Sequence, residues 1–98
     1  MPSRYFKVLA ALESLGADGS EVAARLERRG CYGRRHDSVD CPVTRWVEQQ
    51  AFVTVAVGDA ECCVLGPVGP SGTVPLPLPV QVFLRAFDRG DFAALEGF

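Results

Sequence analysis

The chain has 98 residues, 48 % of them hydrophobic and 22 % charged, with a formal net charge of −2. That length leaves room for one domain with one core, and the composition excludes a disordered tail, which lacks the apolar surface needed to offset ordering entropy. The longest uncharged stretch, between Glu61 and Arg85, holds all but two of the prolines, so it is not a membrane helix, which takes ~20 consecutive helix-compatible apolar residues.

Tyr5, Val8, Leu9, Leu12 and Leu15 recur at three- and four-residue spacing and predict a first helix from about Arg4 to Leu15. Ser3 is placed to cap it, and Gly16 suits its left-handed end. Glu13 and Gly16 interrupt any signal-peptide hydrophobic block, so the sequence reads as cytoplasmic. Asp18 with Glu21 three residues on, or Ser20 alone, marks the start of a second helix through about Arg29. Its apolar face is small (Val22, Ala23, Leu26), and Gly30 stops it. Pro42 opens a third helix, where its missing amide proton costs nothing, with Val43, Trp46 and Val47 as an apolar stripe.

Phe52–Val57 and Ala60–Leu65 flank Gly58-Asp59 and predict a β-hairpin. Gly66–Pro79 reads as a loop. Within it Thr73–Pro79 is expected to run extended, because each proline keeps its predecessor out of the helical region. Pro75 and Pro77 allow such a segment along a sheet edge but not in the centre. Pro79 then opens a fourth helix with Val80, Phe83, Leu84 and Phe87 on one face and Gly90 at its end. Asp91 is placed to cap a last turn ending with Leu95 and Phe98. The order α-α-α-β-β-loop-α predicts a single α+β domain over residues 1–98. Most of the apolar surface of Leu76, Leu78, Phe83, Phe87, Phe92 and Phe98 closes the core, and what stays exposed would serve a homodimer.

The segment Gly30–Pro42 gathers two glycines, two adjacent arginines, the one histidine and two of the four cysteines between two predicted helices. Residues 1–50 carry eight Lys/Arg against seven Asp/Glu, and residues 51–98 two against five. Arg25, Arg28, Arg29, Arg34, Arg35 and Arg45 therefore form a local basic face on an acidic chain, compatible with an anionic ligand or an acidic partner. Gly30 and Gly33 beside Arg34 and Arg35 allow an anion cradle, although no P-loop pattern is present. The plainer alternative is a loop tied down by Asp37 or Asp40.

Cys41, just before Pro42, sits at a helix N-terminus, where the dipole and nearby arginines would lower its pKa. His36 would then be its base, oriented by Asp37 or Asp40; the bland alternative is a small buried side chain. A zinc set of Cys31, His36, Cys41 and one hairpin cysteine has suitable chemistry, but lacks the usual closely spaced ligand pair. In a reducing compartment the four cysteines predict free thiols, and adjacent Cys62 and Cys63 would face opposite sides of a strand.

Arg34, Asp37, Cys41-Pro42-Val43, Arg45-Trp46-Val47 and Phe83-x-x-x-Phe87-Asp88-x-Gly90 resemble a group of small actinobacterial proteins, over about residues 5–95. In that group a glycine–arginine stretch leads to a Cys-Pro-(Val or Leu)-Ala-x-aromatic-Leu helix, and a Phe-Asp-x-Gly element closes the chain. Here Thr44 stands in place of the usual alanine and Trp46 in place of the usual tyrosine. The resemblance implies a fold and an actinobacterial or phage origin, in keeping with the scarcity of lysine, and implies no reaction.

The leading expectation is a non-enzymatic cytoplasmic α+β binding protein without a cofactor. It would use Arg34, Arg35, His36, Arg45 and Arg29 to meet another protein or a second copy of itself. Two expectations compete with it. One is a winged-helix-like nucleic-acid regulator, suggested by three helices before a hairpin, although the third helix carries a single cation and a single acid. The other is a cysteine-dependent enzyme with Cys41 as nucleophile and His36 as base.

Overall fold

A computed structural model describes residues 4–66 and 69–96. The elements are α1 (Arg4–Glu13), α2 (Gly19–Arg28), α3 (Pro42–Ala51), β1 (Thr54–Val57), β2 (Glu61–Gly66), β3 (Gly69–Pro75), α4 (Leu78–Asp88) and a 3-10 turn at Ala93–Leu95. This is an α+β fold, with four helices and one antiparallel sheet in the order β1-β2-β3 among the described residues. None of its helices is long and apolar enough to cross a membrane, among the described residues.

Helical periodicity decides which faces are buried. Val8 and Leu12 are buried from α1 and Leu15 just beyond its end, Val22, Ala23 and Leu26 from α2, and Val43, Trp46 and Val47 from α3. α1 ends at Glu13, before the expected Leu15, because the Ser14 hydroxyl donates to the Ala11 carbonyl (2.7 Å) and the Leu15 amide reaches back only three residues to Leu12. At the start of α2 the expected Asp18 cap is present, and Glu21 reaches back past the N-cap amide to that of Ala17. The Glu21 amide donates to Asp18 Oδ1 (2.9 Å), and Glu21 Oε1 accepts from the Ala17 amide (2.7 Å). Trp46 fixes α3 to α1 by donating its indole N–H to the Ala11 carbonyl at 2.8 Å. A buried indole needs such a partner.

The strand predicted from Phe52 begins only at Thr54, because Phe52 itself caps α3 in the left-handed conformation (φ 55) and stays exposed. β1 pairs with β2 so that Val55 faces Val64 and Val57 faces Cys62. Side-chain alternation buries Val55, Val57, Cys62, Val64 and Val74 on one face and leaves Cys63 half-buried on the other.

The segment read as loop from Gly66 needs correction, since Gly69–Pro75 is a third strand, paired antiparallel to β2 with an irregularity at Val64/Leu65. It is an edge strand, where Pro75 is tolerated. Tyr5 covers it by donating its hydroxyl to the Ser71 carbonyl at 2.7 Å. On the opposite edge, the β1 amides of Val55 and Val57 donate to Glu48 Oε2 (3.4 Å) and the Ser38 carbonyl (2.8 Å). The N–H groups that would recruit a foreign strand are occupied there.

α4 starts at Leu78, with the Pro77 carbonyl accepting from the Val80 and Gln81 amides. Val80, Phe83, Leu84 and Phe87 are all buried. α4 lies against α2, and the Phe83 ring meets those of Phe87 and Phe92 at centroid distances of 5.8 and 5.2 Å. Asp91 does not cap the final turn. Its carboxylate pairs with Arg89 at 2.8 Å, and the residue flanking the 3-10 turn is Phe92, which makes no side-chain cap. Leu95 drives that turn into the core, while Phe98 lies outside the described residues.

Candidate functional site

The connector between α2 and α3 is fixed by backbone bonds at both ends. α2 closes with Gly30 at φ 67, the Gly30 amide donating to Glu27 (3.1 Å) and the Cys31 amide to Leu26 (2.9 Å). That pair of bonds is the Schellman motif, in which glycine meets the left-handed geometry without strain. Gly33 then runs beside Glu96 in a single parallel bridge, its amide donating to the Leu95 carbonyl at 3.0 Å. The Arg34 amide donates to the Asp40 carbonyl at 2.7 Å and closes the base of the loop. Inside it, Asp37 Oδ1 accepts from the Val39 and Asp40 amides, both at 3.1 Å, an Asx-type brace. The Ser38 carbonyl accepts from both the Val57 amide and the Thr44 hydroxyl at 2.8 Å, tying the loop to β1 and α3.

The five binding residues expected from the sequence fall into two groups. On the side of the C-terminal elements, Arg35 Nε lies 3.0 Å from Glu96 Oε1. His36, at φ 58, donates its amide to Asp88 Oδ1 (3.0 Å) and holds Nδ1 3.9 Å from Asp88 Oδ2. On the α3 side, Arg34 and Arg45 converge on one carboxylate, Asp40, with Arg34 Nε at 3.6 Å and Arg45 in direct contact. Arg29 stacks over the Trp46 ring at 5.9 Å, a cation–π distance. Arg29 and Arg45 both bear on Cys31, partly offsetting the rise in its pKa caused by burial. Arg29, Arg45 and Arg34 therefore line one face, with the Arg34 side chain 66 % exposed. Both connector guanidiniums face solvent, yet each meets a carboxylate of its own chain, so the basic surface is narrower than the sequence suggests.

Of the two readings of Cys41, the structure shows the small buried side chain at a helix entry. It does sit at the N-cap of α3, with Sγ accepting from the Thr44 amide at 3.3 Å. Burial nevertheless pushes its thiol up, outweighing the hydrogen bonds from Thr44 and Val43 that act the other way. The Thr44 hydroxyl spends its one proton on the Ser38 carbonyl, so at the 3.1 Å contact between Cys41 Sγ and Thr44 Oγ1 the thiol must be the donor. The thiol is held protonated, the opposite of an activated nucleophile. The acid beside His36 is Asp88, which accepts from its backbone amide, and not Asp37 or Asp40, because Asp37 is committed to the loop backbone and Asp40 to two arginines.

A cleft of about 210 Å³ lies beside the connector, lined by His36, Asp37, Ser38, Cys41, Val57, Asp59, Leu84 and Asp88 among others. The zinc set considered from the sequence does not assemble. Cys31 turns to Gln49 Oε1 (3.7 Å), His36 to Asp88 and Cys41 to Thr44. No group of three or more His, Cys, Asp or Glu is arranged to hold a metal, among the described residues. The sequence reading missed Asp88 and Glu96 as partners of the connector and Asp40 as the acid shared by two arginines. Asp88 stands 52 positions from His36, so no local spacing points to it.

All four cysteines are free thiols. At neutral pH iodoacetamide should modify half-buried Cys63 first, and Cys41 and Cys62 only on unfolding; early labelling of Cys41 contradicts this geometry. Burial, with Cys41 and Cys63 nearby, pushes Cys62 from the ordinary 9.0 to about 12. Above pH 9.0 the unfolded chain loses thiol protons that the native chain keeps, so stability falls as pH rises from there toward about 12. A thermal midpoint that rises across that window would contradict the burial of these groups.

Comparison of the chain with protein-family models, with curated proteins and with solved structures gives no match.

Proposed function

We propose that this protein is a small, non-enzymatic cytoplasmic interaction module that binds an acidic segment of another protein through Arg34, Arg45 and Arg29. One observation carries the reading: two guanidiniums share the single Asp40 carboxylate. Arg29 adds a third cation alongside, leaving this face with more positive charge than its own acid neutralises. Elsewhere on the connector Arg35 has a carboxylate to itself, Glu96, and Asp88 lies beside His36. The braced backbone supports the same reading, because a loop ordered before binding loses little entropy when a partner arrives. The protonated, buried Cys41 argues against a catalytic thiol at the neighbouring cleft.

Fluorescence polarisation with a labelled oligo-glutamate peptide tests the proposal. Arg34→Ala with Arg45→Ala should weaken binding about tenfold or more, and Arg35→Ala should have a much smaller effect. The thermal midpoint should hold within about 2 °C, since exposed ion pairs contribute little to stability. Equal affinity of the double variant and the unaltered protein would remove this function.

A further inference from the structure

We infer that the acidic group this face accepts is a phosphate monoester, the side chain of a phosphoserine or phosphothreonine in the partner, seated between Arg34 and Arg45 where the Asp40 carboxylate now stands. The inference rests on the function proposed above and narrows it. The two guanidiniums come from different elements, the connector and the first turns of α3, and converge on one point. Each offers five N–H donors in a planar fork, more than the two oxygens of one carboxylate satisfy. Arg34 Nε at 3.6 Å lies beyond hydrogen-bond reach of Asp40, so the donors of this well-exposed side chain are open to a ligand. A phosphate monoester brings three terminal oxygens and close to two negative charges. Arg29, Arg34 and Arg45 against Asp40 leave a surplus of that size.

The loop does not depend on the Asp40 carboxylate for its shape. The Asp40 carbonyl accepts from the Arg34 amide at 2.7 Å, and its own amide donates to Asp37 at 3.1 Å. The carboxylate can swing aside while the backbone keeps its place. Within the connector, the neighbouring Arg35 is matched by its own carboxylate, Glu96. A nucleic-acid backbone presents a line of charges and calls for an extended basic track, whereas a single dianion fits a single convergent pair.

The test uses three short, otherwise neutral peptides identical except for one position, which holds serine, glutamate or phosphoserine, with a DNA duplex as a fourth probe. Polarisation at fixed ionic strength should show the phosphoserine peptide binding about tenfold tighter than the glutamate peptide, with the serine peptide weakest. Arg34→Lys with Arg45→Lys keeps the charge but removes the forks, and should erase most of the preference for phosphate over glutamate. Asp40→Asn removes the resident competitor and should tighten phosphopeptide binding a few-fold. Equal affinity for the phosphoserine and glutamate peptides, both above serine, overturns the phosphate assignment and leaves the acidic-partner function standing. Affinities no better than that of the serine peptide overturn both. A duplex that binds more tightly than the phosphopeptide overturns the protein-phosphate assignment in favour of nucleic acid.

Discussion

Phe83→Ala should cost about 3–5 kcal/mol of folding stability, against a total of about 5–15 kcal/mol for a domain of this size. Phe83 is fully buried on α4, its ring against those of Phe87 and Phe92. Truncation leaves a void beside the Phe87 and Phe92 rings, and an unfilled cavity is what makes such truncations expensive. The urea midpoint should drop steeply with the slope unchanged. A loss below about 1 kcal/mol would mean that α4 does not hold α2 and the C-terminal turn together as described.

Gly33→Ala has the second largest expected effect, and it strikes the connector itself. A β-carbon there would lie 2.7 Å from both Cα and the carbonyl carbon of Cys41 and press on the Asp40 carbonyl oxygen. These are backbone atoms, so no flexible side chain yields. Relief requires the connector to lift off the start of α3 or to release its bridge to Glu96, at a cost of about 1–3 kcal/mol. Because the Arg34 amide bonds the same Asp40 carbonyl, this movement should also displace the Arg34–Arg45 pair and weaken binding of the acidic peptide. Gly30→Ala is the contrasting control. Nothing lies within 4 Å of its added carbon, but its φ of 67 is unfavourable for alanine, at about 1 kcal/mol. It should therefore lower the thermal midpoint slightly and leave affinity intact. Normal affinity in Gly33→Ala would separate the binding face from the closed base of the loop.

Much of the fold is legible in local pattern. Three- and four-residue spacing identifies most of the buried helix faces, although Tyr5, read onto the face of the first helix, stays exposed; the Asp18–Glu21 pair marks the start of α2, and strand alternation separates Cys62 from Cys63. β3 is not legible in that way. Gly-Pro-Ser-Gly-Thr-Val-Pro carries a single large apolar side chain with a resolved place in the core, Val74. Its strand geometry comes from pairing with β2 and from Tyr5 across the outer edge.

The candidate site divides along the same line. The gathering of Arg34, Arg35 and His36 on one connector is a sequence feature, but their partners are tertiary. Asp88 and Glu96 reach the connector only because α4 and the final turn fold back onto it. Cys41 divides in the same way. Its position at a helix start is local, while the depth of burial that reverses the shift expected from the helix dipole comes from the tertiary fold.

An NMR titration of uniformly 15N-labelled protein with the oligo-glutamate peptide, following arginine side-chain Nε–H signals together with backbone amides, locates the binding face directly. The predicted result is that the Arg34, Arg45 and Arg29 side chains shift most, the Arg34–Asp40 amides follow, and Arg35 and Asp88 change little. Shifts centred on His36, Asp59 and Asp88, or no shift at the arginines as the peptide saturates, would contradict the assignment of this face.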